Sequence, residues 1–204
     1  MKSDERFKRV FAWGVTALVL AELVLVLVSW LLSAAMTGGV RALLSSEGVR
    51  WLFGSFTTMM ASPWLVWLLL LAVAIGSLWQ SGLPQLLRRR ATPVTYRERT
   101  ALTAVVLLLL LDVVVLATLT LVPHAVLLSS TGALFPSAFS RALVPIVTFA
   151  LLLASFTYGL MSGSFASLTD AVWSFTVGIR KAAPLIVLYF LIKLFYESLR
   201  FVLL

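Results

Sequence analysis

Residues 101–122, ALTAVVLLLLLDVVVLATLTLV, restrict the fold of this chain more than any other stretch. About 22 almost wholly apolar residues make a helix of about 33 Å, enough to cross a bilayer core of about 30 Å. One carboxylate, Asp112, stands at the midpoint. An Asp at the centre of an inserting helix costs roughly 2.5–3.5 kcal/mol, and each surrounding leucine or valine returns roughly 0.3–0.6 kcal/mol. The apolar majority wins. The segment is expected to insert, and Asp112 then needs a partner inside the membrane.

Such runs recur, and the composition leaves little room for another class. Hydrophobic residues make up 61% of the 204 and charged residues 12%, with a mean hydropathy of +1.06. Soluble domains hold about half apolar residues and about a quarter charged. The chain is therefore a polytopic integral membrane protein, read as one membrane domain over 1–204. Its net charge of +8 would suggest nucleic acid in a soluble protein. Here most Lys and Arg flank apolar spans, as the positive-inside rule expects, so nucleic acid is not an expected partner and the lipid bilayer is. The absence of cysteine excludes disulfides, thiolate metal sites and Cys nucleophiles. With His124 as the single histidine, no His-based zinc site is expected. No HExxH, GxSxG, P-loop or dinucleotide-binding glycine loop occurs, so neither an enzyme nor a cofactor is expected.

Taken in order, the first span is expected over 11–35. Lys2, Arg6, Lys8 and Arg9 precede it and place the N-terminus in the cytoplasm. The run is longer than a signal-peptide core, so it reads as a retained span, although Ser33, Ala34 and Ala35 are small enough for a cleavage site. Thr37-Gly38-Gly39 breaks that helix. Ser46 before Glu47 reads as the start of an amphipathic helix over 46–60, with Val49, Leu52, Phe53, Phe56 and Met60 on one stripe. Such a helix most often lies in the interface, here with Trp51 at headgroup depth; a helix lining a substrate path is the less common alternative. A second span over 63–83 carries Trp64, Trp67 and Trp79 near its ends, and Gly76, Ser77, Gln80 and Ser81 in its second half. These small and polar residues suit close helix packing or, alternatively, a cavity wall. The segment QLLRRRATPVTYRER, with Arg88, Arg89, Arg90, Arg97 and Arg99 against Glu98 alone, is expected to be cytoplasmic. Its Arg88-Arg89-Arg90 run suits anionic lipid as well as a plain topology determinant. The third span, 101–122, ends at Pro123 and His124, and an outer loop leads to a fourth over 142–161. A second amphipathic helix over 165–181 has its apolar stripe at Phe165, Leu168, Val172, Phe175 and Ile179, and reads as interfacial or re-entrant. The fifth span, 183–204, bears a polar stripe of Tyr189, Lys193, Tyr196, Glu197 and Arg200. The expected fold is thus an all-α integral membrane protein with about five transmembrane helices plus two amphipathic helices.

Glu22, Asp112 and Lys193 fall near the middle of three different spans, with Glu197 one turn beyond Lys193. Ionisable groups at that depth avoid lipid, so spans one, three and five are expected to pack around them. Lys193 is expected to pair with Asp112 or Glu22, and also with Glu197 on its own helix. Such pairs can serve purely to set helix register. Alternatively, an unpaired carboxylate among them binds a proton or cation in a transport path. Glu22, Asp112, Lys193 and Glu197 are the candidate transport or coupling groups. Gln80, Ser77, Tyr158 and Tyr189 are the candidate cavity-lining residues.

Two stretches carry a family resemblance. In 43–83, Leu43, Leu44, Ser45, Glu47, Gly48, Arg50 and Trp51 lead into a span closing on Ser81-Gly82-Leu83. In 145–195, a span ends at Tyr158-Gly159, an amphipathic helix begins near Asp170, and Ile186-Val187-Leu188 follows. In this order the pieces resemble two regions of the p-aminobenzoyl-glutamate transporter (AbgT) family. Members are much longer and hold substrate and sodium in two re-entrant hairpins. This sequence matches the framework and not those hairpins, so no family substrate residue is carried over. The resemblance implies a bacterial inner-membrane transporter or exporter. It would act as a dimer or larger homo-oligomer on a small-molecule anion, aromatic amino-acyl or folate-like. Protons as the driving ion are expected from the midplane charges of this sequence and not from the family, whose hairpins hold sodium. A non-transporting membrane scaffold that keeps the family framework is the alternative.

Overall fold

A computed structural model of the chain describes residues 2–35, 39–89, 94–121 and 137–204. Expectations placed on Thr37 and Gly38, Arg90, Pro123 and His124, and most of the loop after them lie outside the described residues. All regular structure among the described residues is helical: α1 (Lys2–Ala34), α2 (Ser46–Met60), α3 (Pro63–Ser81), α4 (Leu83–Arg88), α5 (Tyr96–Leu121), α6 (Ala138–Ser162) and α7 (Leu168–Leu203). Glu5–Ala34, Pro63–Ser81, Tyr96–Thr120, Ala138–Ser162 and Leu168–Leu203 are long and apolar enough to cross a bilayer. The protein is an all-α integral membrane protein.

The helices depart from the expected spans in instructive ways. α1 and α5 begin well before their apolar runs, at Lys2 and Tyr96, because backbone hydrogen bonding does not stop where the lipid does. Residues 165–181 and 183–204 were expected as separate elements. From Leu168 onward they form one 36-residue helix with Pro184 inside it. A proline removes one rung of the ladder, whereas ending the helix there would free a whole turn of carbonyls. The short helix α4 was not anticipated. It follows Gly82, whose φ of 84° lies in the left-handed region, and has Pro84 in its first turn.

The cap of α2 is Ser45, one residue before the expected start. Its hydroxyl accepts from the Gly48 N–H at 3.0 Å, leaving Ser46 as the first helical residue. Ser45→Ala removes that bond and is expected to cost about 1 kcal/mol. In detergent this should lower the apparent melting temperature by about 2–4 °C. An unchanged melting curve would mean that α2 is held by its contacts alone.

The described chain falls into two compact units: residues 1–66 with 183–204, and residues 67–182. In the first, the segment after α1 is pinned between α1 and the end of α7. The Leu43 N–H donates to Ser29 Oγ at 3.3 Å, and the Arg41 N–H donates to the Val202 carbonyl at 3.2 Å. Leu43, Phe201 and Val202 form the core, with Trp51 of α2 stacked on Phe201 at 4.4 Å between ring centroids. In the second unit α5 packs along α6 through Ala101, Val105, Ala154 and Tyr158, and Leu83 of α4 completes the cluster. α3 meets α7 where Gly76 faces Gly178 and Gly178 faces the Ala72 carbonyl, so closely that neither glycine has room for a Cβ.

The amphipathic stripes point opposite to a soluble protein's. Over 168–182 of α7 the buried positions are Ala171, Ser174, Gly178 and Ala182, while Leu168, Val172 and Ile179 are exposed. On α2, Gly48 and Met60 are buried and Val49, Phe53 and Phe56 are exposed. Lipid tails are as apolar as leucine, so large side chains gain nothing by turning inward, and small ones let backbones approach.

Candidate functional site

The polar stripe of α7 and the facing side of α2 build the most chemically equipped region of the first unit. Helical spacing places Tyr189, Lys193, Glu197 and Arg200 along one side of α7. Lys193 Nζ donates to Glu197 Oε1 at 2.5 Å, with side-chain exposures of 24% and 15%. The same ammonium lies 5.4 Å from the centre of the Tyr196 ring. One turn earlier, the Tyr189 hydroxyl donates to the Met60 carbonyl at 3.2 Å and lies 2.6 Å from Ser62 Oγ. With the tyrosine proton on Met60, the serine is the donor of the second bond. These two bonds tie the end of α2 to α7.

Between those helices lie two cavities that share Glu197. One, of about 360 Å³, is lined by Ser55, Thr58, Met59, Ser62, Lys193 and Glu197. The other, of about 440 Å³, is lined by Arg41, Glu47, Trp51, Glu197, Arg200 and Phe201. Arg41 approaches the Phe201 ring to 5.8 Å. Lys193 and Glu197 cancel each other's charge, and Glu47 offsets one of the two guanidiniums. The second cavity therefore sets one uncompensated guanidinium beside an aromatic wall. Residues of α2 line both cavities.

Ser198 lies one residue, or about 100°, round the helix from Glu197 and faces α1 instead. Its hydroxyl donates to Glu22 Oε1 at 2.7 Å. Glu22 Oε2 is buried with no hydrogen-bond partner among the described residues. Glu22 and Lys193 thus belong to one unit as expected, but Lys193 pairs with Glu197 and Glu22 with Ser198. Asp112 belongs to the other unit. It continues the inward face of α5 set by Ala101, Val105 and Leu109, is partly exposed, and makes no side-chain hydrogen bond or ion pair among the described residues. Within the first unit Lys193 pairs with Glu197 and not with Glu22, because Glu197 is already within reach on the same helix.

The cavity-lining candidates divide. Tyr189 joins the α2–α7 region. Tyr158 is 2% exposed in the core of the second unit. Ser77 is fully buried, with its Oγ 2.7 Å from Ser155 Oγ and 2.9 Å from Ser174 Oγ, while the Ser174 hydroxyl donates to the Ala171 carbonyl at 2.6 Å. This chain of hydroxyls joins α3, α6 and α7. Gln80 lines a separate cavity of about 330 Å³ with Gly76, Trp79, Gln85, Val177 and Lys181. Sequence reasoning missed Ser198, Ser155, Ser174 and Arg41. Each serine sits at helical spacing from a residue already singled out or from another small residue, which is too common a pattern to choose among serines. Among the described residues no three His, Asp or Glu side chains converge as metal ligands would.

The sequence profile of the AbgT putative transporter family matches residues 77–201. No curated protein and no solved structure matches the chain. The match contains the whole of 145–195, meets 43–83 only at its end, and includes Asp112, Lys193 and Glu197 but not Glu22.

Proposed function

The chain belongs to the AbgT transporter family and is a membrane transporter; from that premise we propose that it carries small amphipathic anions across the bacterial inner membrane, coupled to protons and as a homo-oligomer. The N-terminus is cytoplasmic in this reading, and the anions are aromatic amino-acyl or folate-like compounds. The observation that carries the reading is the pair of cavities joined at Glu197. A carboxylate-bearing aromatic ligand suits guanidiniums next to an indole and a phenyl ring. Lys193 provides a cation that such an anion can recruit away from Glu197. Glu22 supports the coupling as a carboxyl group inside a span, with one oxygen bonded to Ser198 and the other without a hydrogen-bond partner among the described residues. Asp112 remains the second candidate for that role.

The test is uptake of labelled p-aminobenzoyl-glutamate by proteoliposomes with a pH-sensitive dye inside. Lys193→Gln is expected to lower uptake at least about tenfold, the effect of losing ~1.5 kcal/mol of charge-assisted hydrogen bonding. Glu22→Gln together with Asp112→Asn is expected to abolish proton movement. If the double variant moves substrate and protons as the native protein does, the coupling is wrong. If native vesicles stay tight and a partner protein co-purifies, the chain is a scaffold and not a carrier.

A further inference from the structure

We propose that the cavity at the end of α3 in the second unit holds the phosphate headgroup and upper acyl chain of an anionic phospholipid. Its lining has no acidic residue. Lys181 supplies an ammonium with no ion pair among the described residues, and Gln80 and Gln85 supply amides. The Gln85 side chain is steadied by donating to the Trp79 carbonyl at 3.0 Å. Arg88, at the end of α4, lays its guanidinium over the Trp79 indole at 5.1 Å, so a second cation is held at the rim of the cavity. Gly76 and Val177, with the Trp79 indole, supply the apolar part of the lining. It lies beside the close Gly76–Gly178 contact that brings α3 and α7 together.

The occupant follows from place and charge. Trp79 stands two residues before the end of a membrane-spanning helix, the depth at which indoles meet headgroups. Leu87 projects from α4 beside Arg88, exposed, as an interfacial helix presents its apolar side. A ligand with a negative head and an apolar tail satisfies both ends of the cavity, and such a ligand already surrounds the protein as lipid. Basic pockets between transmembrane helices bind anionic headgroups by this combination.

Native mass spectrometry of the full chain, released from micelles carrying phosphatidylglycerol and phosphatidylcholine, tests the proposal. One phosphatidylglycerol should be retained per chain in preference to phosphatidylcholine. Lys181→Gln and Arg88→Gln should each weaken that preference about fivefold, as one basic side chain near a headgroup does. Lys181→Arg should keep it. Val177→Trp, which leaves every charge in place and fills the cavity, should remove the retained lipid. An equal loss with Arg97→Gln, an exposed arginine outside the cavity, would reduce the effect to surface charge and overturn the site. Displacement of the lipid by soluble glycerol phosphate at similar concentration would make the ligand a free phosphate compound and overturn the lipid assignment.

Discussion

Gly178→Val is expected to be the most damaging single substitution in the second unit. A Cβ at Gly178 meets the Ala72 carbonyl and the Gly76 backbone, and neither is the flexible end of a side chain. The clash is relieved only by moving α7 away from α3. That movement also pulls Ser174 from Ser77, since Ser174 lies one turn before Gly178 on the same buried face. The cost should reach the upper end of overpacking penalties, about 3 kcal/mol or more. Unfolding in detergent, followed by circular dichroism, reads it. Gly54→Ala is the control: nothing lies within 4 Å of the added Cβ, and the position is inside α2. It should stabilise the protein by up to about 1 kcal/mol, the ordinary helix preference for Ala over Gly. If both variants unfold alike, the α3–α7 junction does not have the closeness described.

Glu197→Leu is expected to cost almost as much, for an electrostatic reason. The Lys193–Glu197 pair is mostly shielded, at 24% and 15% side-chain exposure. Removing the carboxylate strands the ammonium between α2 and α7, and breaking a buried pair from one side typically costs about 3–5 kcal/mol. Partial access to solvent puts the expectation at the lower bound. Replacing both residues with leucine removes the stranded charge and should recover most of the loss. A double-mutant cycle on unfolding free energies measures the coupling. Single losses that simply add in the double variant would show that the two side chains do not act as a pair. The same variants separate stability from transport: the Leu/Leu protein should be folded and inactive if Lys193 contacts the anion.

Much of the helical plan was legible without coordinates. The α2 range of 46–60 coincides with the observed helix, and Pro63 opens α3 as its place after a polar break suggests. The Lys193–Glu197 contact followed from i,i+4 spacing alone. The site was legible only where one helix carries it. Ser198 became a partner of Glu22 because α1 approaches the side of α7 one residue round from the Lys193 stripe. Nothing local to Ser198 announces this. The same holds for Ser77, Ser155 and Ser174, which come from three helices and meet at a point where small residues permit it.

The sequence by itself determined that this protein lives in a membrane as helices, and which stretches of the chain form its apolar spans. Insertion free energy is nearly a sum over neighbouring residues, so a window of the chain holds the answer. It also determined where charge would be expensive, at Glu22, Asp112 and Lys193. Only the tertiary structure decided which side of each helix is inside. Burial cannot make that choice in lipid, because a leucine facing lipid and a leucine facing a helix are nearly equivalent. Close backbone approach at Gly76 and Gly178, the serine chain beside them, and the hydroxyl reaching Glu22 made the choice instead. All three depend on shape complementarity between segments that lie far apart in the chain.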